Sequence, residues 1–225
     1  MHVRNLLWAV AAAALLAVAA PAQKKVEANF DSDPVNRLPP GWISAMTHKG
    51  GAPRWEVVRD ETAPSRPNVL AQLSNDRTHG RFPLAIYQKL ELKDGDLSVK
   101  FKPISGKIDA SGGLVWRYKD PNNYYIVRSN ALEDNTVLYK VENGRRSSIA
   151  PKGTPPRTYG VNHKVTLGDW HTLRVTFQGP LFTVYYDGKK MFEVEDHTFS
   201  EAGKVGLWTK ADSVTHFDDF RATGR

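Results

Sequence analysis

Leu97, Val99 and Phe101 alternate with polar neighbours from Asp96 to Lys102. The same two-residue period returns at Leu173, Val175 and Phe177, and again at Phe182, Val184 and Tyr186. Side chains on an extended chain point to opposite faces in turn, so this pattern specifies strands with one buried face. Asn143-Gly144 and Asp187-Gly188 lie between such runs. Both dipeptides favour the tight turn of a two-residue hairpin, and Asp94-Gly95 opens another strand in the same manner. No segment after the first twenty or so residues carries helical apolar spacing over more than one turn; Thr198 to Ala202 read as a short helical turn. Roughly a dozen closely spaced strands predict an all-β chain, a two-sheet antiparallel β-sandwich, rather than βαβ units. Pro83, Pro103 and Pro180 suit strand starts and sheet edges, where no ladder donor is needed. Two stretches read as long loops: Asp33 to Arg54, and Pro151 to Asn162.

The N-terminus reads as an export signal. Arg4 gives a positive start, Leu6 to Ala20 is apolar, and Ala20-Pro21-Ala22 is a small-x-small cleavage pattern. Cleavage after Ala22 leaves residues 23–225 as a single domain, periplasmic or secreted, with no membrane span in the mature chain. The chain has no Cys. An exported domain without Cys has no disulfides and relies on its core, and thiol catalysis and thiolate metal sites are excluded. The formal charge of +7 comes from 31 Lys and Arg against 24 Asp and Glu. Its basic pairs, Lys24-Lys25, Arg145-Arg146 and Lys189-Lys190, are isolated. That distribution reads as solvated surface charge with a mild attraction to acidic polysaccharide, and not as a nucleic-acid footprint.

Gly112 to Asn143 is dense in polar and aromatic residues and reads as three successive antiparallel strands. Alternation puts Gly113, Val115 and Arg117 opposite Leu114, Trp116 and Tyr118. It groups Tyr124, Ile126, Arg128 and Asn130 on one face of the second strand. On the third it sets Val137, Tyr139 and Val141 against Thr136, Leu138, Lys140 and Glu142. An Arg and an Asn in mid-strand need either a carboxylate partner or a solvated surface. Sugar sites combine aromatic rings for C–H faces with Arg, Asn and carboxylates for hydroxyls. Trp116, Arg117, Tyr124, Arg128, Asn130, Asn135, Tyr139 and Lys140 are therefore candidate binding residues, with Glu133 and Asp134 at the rim. The alternative is an ion pair of Arg128 with Glu133 or Asp219, with Trp116 and Tyr139 in the core. Near the C-terminus Trp208 and Lys210 share a face and join the candidates, and Asp212 lies in a turn.

Five segments carry a family resemblance. They are Gly112 to Tyr118, Asn123 to Glu133, Leu138 to Gly144, Trp170 to Val175, and Gly203 to Ser213 with Phe217-Asp-Asp-Phe220. They resemble bacterial exported proteins of the concanavalin A-like lectin/glucanase superfamily, in the group labelled 3-keto-disaccharide hydrolase or LamG-like domains. The resemblance spans about Phe30 to Phe220 and implies a jelly roll with a concave, sugar-facing sheet. It also implies a choice of function, since lectins, hydrolases and non-catalytic modules share this fold. The Glu-x-Asp-x-x-Glu strand motif of laminarinase-type glucanases is absent.

The expected function is an exported carbohydrate-directed module. The alternative is a hydrolase of glycosides or 3-keto-disaccharides using Glu133, Asp134 and Asp212. Glu193 and Glu195 share a strand face about 6.8 Å apart, but alternation turns them outward as solvated charges. No His pair has metal-ligand spacing. Asp120, Asn122 and Asn123 are the candidates for calcium, with a plain turn as the other reading.

Overall fold

A computed structural model describes residues 23–225; the expected export signal, residues 1–22, lies outside the described residues. Sixteen strands form two eight-stranded sheets, and no helix occurs among the described residues. In chain order the strands are β1 (Lys24–Ala28), β2 (Trp42–Thr47), β3 (Trp55–Arg59), β4 (Asn68–Gln72), β5 (Phe82–Leu92), β6 (Gly95–Ser105), β7 (Ser111–Asp120) and β8 (Asn123–Asn130). There follow β9 (Asn135–Glu142), β10 (Arg145–Ser148), β11 (Val161–Asn162), β12 (His171–Gln178), β13 (Leu181–Tyr186), β14 (Lys189–Glu195), β15 (Gly203–Trp208) and β16 (Val214–Gly224).

The first sheet runs β14-β13-β12-β6-β16-β4-β3, with β1 also on β16. The second runs β10-β9-β8-β7-β15-β5-β2, with β11 also on β9. Every pairing is antiparallel, and the crossovers between sheets make the jelly-roll sandwich that the alternation and the resemblance called for. The registers explain the period. Leu173 faces Val99 and Tyr186, Val175 faces Leu97 and Val184, and Phe177 faces Phe182, so the apolar members stack on one side. Asn143-Gly144 and Asp187-Gly188 all have positive φ, as the two-residue hairpin turn requires.

The core lies between the sheets. Trp116 is fully buried there, stacked on Tyr125 at 5.5 Å and Phe177 at 6.0 Å and edge-on to Phe182 at 5.4 Å. Burying each such ring contributes about 2–3 kcal/mol.

Two expectations are corrected. Residues 33–54 are not one loop, because β2 lies within them. Its Trp42 packs against Phe30, Tyr87 and Phe220 at 5.2–5.9 Å, and that burial turns the segment into a sheet edge. Thr198 to Ala202 form no helical turn. Instead the Thr198 and Phe199 amides donate to Asp196 and to the Tyr125 hydroxyl.

Candidate functional site

The outward face of the second sheet carries its own apolar cluster, separate from the core. Phe82, Leu84 and Ile86 come from β5, Val115 from β7, Tyr124 and Ile126 from β8, Val137, Tyr139 and Val141 from β9, and Trp208 from β15. A polar group is set into this floor around Arg128, which is 1% exposed. Gly113 is its cross-strand partner on β7, where a Cβ would stand 3.1 Å from the Arg128 Cβ; glycine keeps that space open.

The Arg128 guanidinium donates to the Glu133 carboxylate at 2.7 Å, to the Tyr139 hydroxyl at 2.9 Å and to the Tyr159 hydroxyl at 3.1 Å, and it also bonds Asn135. The Tyr139 and Tyr159 hydroxyls share a hydrogen bond. Tyr159 arrives from the 151–162 loop, which closes onto β9 at Gly160. A Cβ at Gly160 would lie 2.2 Å from the Thr136 carbonyl oxygen, and its φ is positive, so only glycine allows the approach. Burial works to raise the Glu133 pKa, but the Arg128 charge and the hydrogen bonds from Arg128 and Asn135 overcome it and hold the carboxyl below its usual range. Glu133 is therefore an ionised acceptor at neutral pH, a base and not an acid.

Beside this group Arg146, from β10, lies over the rings of Tyr139 (4.5 Å), Phe82 (4.7 Å) and Trp208 (5.7 Å). Four buried donors on this face find no hydrogen-bond partner among the described residues: Arg128 Nε, Asn130 Nδ2, Arg146 Nη1 and Trp208 Nε1. Trp208 Nε1 points toward the Tyr124 hydroxyl without reaching hydrogen-bond geometry. A buried donor without a partner costs about 1–3 kcal/mol, and the same cost falls on Trp55 Nε1 and Trp116 Nε1 in the core. Lys210 and Asp109 close one end with a 2.8 Å ion pair.

The structure brings Arg128, Asn130, Glu133, Asn135, Tyr139 and Trp208 together on this face, with Tyr124 in its floor and Lys210 at its end. The Tyr124 hydroxyl is already bonded to Thr47. Other candidates lie elsewhere. Trp116 belongs to the core between the sheets. Arg117 has φ +48 at a bulge, which turns it off the expected face. Its buried guanidinium donates to the carbonyls of Lys93, Gly179 and Phe199 and rests over Phe177 and Phe182. Lys140 projects from the opposite face of β9, to Thr198 and Asp196.

Of the carboxylates grouped for hydrolysis, only Glu133 faces the cluster. Asp134 is an exposed turn residue, bonded to the Val165 amide and Lys164. Asp212 is 3% exposed and accepts the amides of Lys107, Ile108 and Asp109, which fixes the 106–109 turn. Glu193 and Glu195 pair with Lys190 and Lys152 on the first sheet. Asp120 accepts from the Asn122 amide and the Asn123 side chain, as a turn residue does. Among the described residues no three His, Asp or Glu side chains are grouped as metal ligands.

The sequence reading missed Arg146, Tyr159 and Phe82. Arg146 alternates onto the same face as its β9 neighbours, but as half of a basic pair it read as surface charge. Tyr159 carried only the signal of a long loop.

Comparisons with known proteins agree with this architecture. Levanase of Bacillus subtilis (strain 168) is 31% identical over 115 residues, 51% of this chain, and the match spans 15% of that protein. The carbohydrate-binding module CBM66 from Bacillus subtilis superposes with a TM-score of 0.59 at 20% identity, over 80% of this chain and 94% of that one. The cellulose-induced protein Cip1 gives 0.58 at 11% identity, over 88% and 96%. The GH43 protein BlXynB of Bacillus licheniformis gives 0.52 at 16%, over 88% of this chain and 39% of that one. At these identities the three likenesses concern the fold. The model of the 3-keto-alpha-glucoside-1,2-lyase-like domain matches residues 37–223, and the chain belongs to that family.

Proposed function

We propose that this is an exported carbohydrate-directed module that binds a glycan on the outward face of its second sheet. One observation carries the reading: the unpartnered Arg128 Nε, Asn130 Nδ2, Arg146 Nη1 and Trp208 Nε1 belong to one face of the sheet, whose Arg128 also holds an ionised Glu133. Sugar hydroxyls and ring oxygens accept from such donors, the carboxylate accepts a hydrogen bond from a hydroxyl, and Tyr159, 44% exposed, offers apolar surface for C–H groups above the buried Phe82, Tyr139 and Trp208. The carbohydrate-binding fold neighbour and the levanase match support the same class of ligand. The apolar, Ala-rich start of the chain supports export.

A second reading, cleavage of glycosides or 3-keto-disaccharides, is favoured by the family match. In it Glu133 abstracts a proton, and Arg128 and Arg146 stabilise charge developing on a sugar oxygen. Incubation with neutral oligosaccharides and 3-keto disaccharides, read by mass spectrometry and calorimetry, separates the two. Binding without cleavage supports the module. Cleavage that Glu133→Gln abolishes establishes the catalyst. Absence of both refutes the site.

A further inference from the structure

Next to the Arg128 group, an open depression of about 780 Å³ is lined by His48, His79, Phe82, Asn122, Arg145 and Arg146, with Gly80, Asn143 and Gly144 completing it. No Asp or Glu lines it. That absence matters because the chain is rich in carboxylates, and its other buried cations are matched to acceptors. Arg128 is bonded to Glu133, Arg117 to three carbonyl oxygens, and Arg81 to the carbonyls of Gly51, Ala52 and Ala211. Arg146, half-buried, differs in having neither a carboxylate nor a carbonyl on its guanidinium. Its guanidinium is held over three rings, and its Nη1 is buried with no acceptor. Ring contacts orient a guanidinium while leaving its in-plane donors unused, and the planar fork fits a carboxylate.

The hairpin that carries Arg146 is also fixed in place. The His48 ring sits between the Gly80 and Gly144 carbonyls, 2.7 Å from each, donating to one of them as a neutral ring and to both when protonated. Gly144 is in the β9–β10 turn, and Gly80 precedes Phe82 by two residues, so His48 ties the Arg146 hairpin to the segment that supplies the ring beneath it.

We infer that this depression is an anion subsite for an acidic glycan, taking the carboxylate of a uronic acid residue on Arg146, whose guanidinium caps the buried Tyr139 and Trp208 rings. The inference rests on the proposed glycan site and names its substrate class. A charge-assisted, bidentate contact of this kind favours the acid over its neutral methyl ester by about tenfold or more.

Calorimetry with oligouronides (galacturonate, glucuronate and mannuronate) and their methyl esters, alongside neutral oligosaccharides, tests it. The expected result is a uronide that binds about tenfold tighter than its own ester, with the margin shrinking between about 50 mM and about 500 mM salt. Arg146→Gln is expected to bring acid and ester within about twofold, and Arg146→Lys to retain part of the margin. Lys190→Gln, which removes equal charge from the first sheet, is expected to leave the margin intact. Melting curves confirm that each variant is folded. Equal affinity for acid and ester, or a preference that survives Arg146→Gln, overturns the inference. Binding of neutral sugars without any uronide preference overturns it and leaves the proposed glycan site standing. No binding of any sugar overturns both.

Discussion

Replacing Glu133 by Gln tests whether the Arg128 group is built on charge. Gln keeps the shape and an acceptor oxygen but removes the negative charge 2.7 Å from a guanidinium that is 1% exposed. Stranding a fully buried ion costs about 3–5 kcal/mol, whereas an exposed pair contributes at most about 1 kcal/mol. The Glu133 side chain is 37% exposed, so solvent screens part of the interaction, and a loss of about 1–2 kcal/mol follows. For a domain of this size that lowers the melting temperature by about 3–6 °C. The pH dependence gives an internal control. The folded-state pKa of Glu133 is depressed, so its contribution is fully present above the unfolded value near 4.5 and is lost as pH falls through the folded value. Thermal melts of both proteins should therefore differ at about pH 7 and converge toward about pH 3. Arg128→Met combined with Glu133→Gln should recover much of the loss, because no buried charge is then stranded. A shift below about 1 °C at pH 7, or an equal shift at both pH values, would refute the reasoning.

Trp116→Ala should cost about 3–5 kcal/mol in chemical denaturation by opening a cavity between Tyr125, Phe177 and Phe182, and should leave the glycan specificity of the remaining folded protein unchanged. Asp212→Ala should destabilise by at least about 2 kcal/mol, since three amides of the 106–109 turn lose a buried carboxylate; a loss of activity at full stability would instead show a chemical role. Burial pushes the Asp218 carboxyl up to about 6, against the Ser65 donors. A carbon-detected titration should place its midpoint near there, and its contribution to stability, present below the usual aspartate range, should fall as pH rises through that value.

The strands were legible because one face of each had to be buried, and burial writes a two-residue period. The candidate site was harder to read because both faces of the second sheet are apolar. Trp116 and Trp208 look alike in sequence, yet one lies between the sheets and the other on the outward floor. Alternation did place Tyr124, Arg128 and Asn130 on one face and Lys140 on the other. It failed at Arg117, because a bulge between Trp116 and Asp120 breaks the period. Arg146 and Tyr159 reach the site through a hairpin and a loop, and no local pattern announces which distant side chain will meet Arg128. Asp212 was ambiguous because a turn acid and a chemical acid have the same spelling; only the three amides at its carboxylate decide.

The guanidinium of Arg117 is a node shared by three connections: the one after β5 through Lys93, the β12–β13 turn through Gly179, and the 196–202 segment through Phe199. Loops usually open one at a time, each with its own small free energy. Tied to a single side chain, these three should exchange their amide protons as one unit, which hydrogen exchange would show. Loosening any of them frees a buried cation that the other two must then hold. Lysine at this position could satisfy fewer carbonyls at once and would return the three to independent motion. These three connections thus form a clasp whose cooperativity resides in one residue.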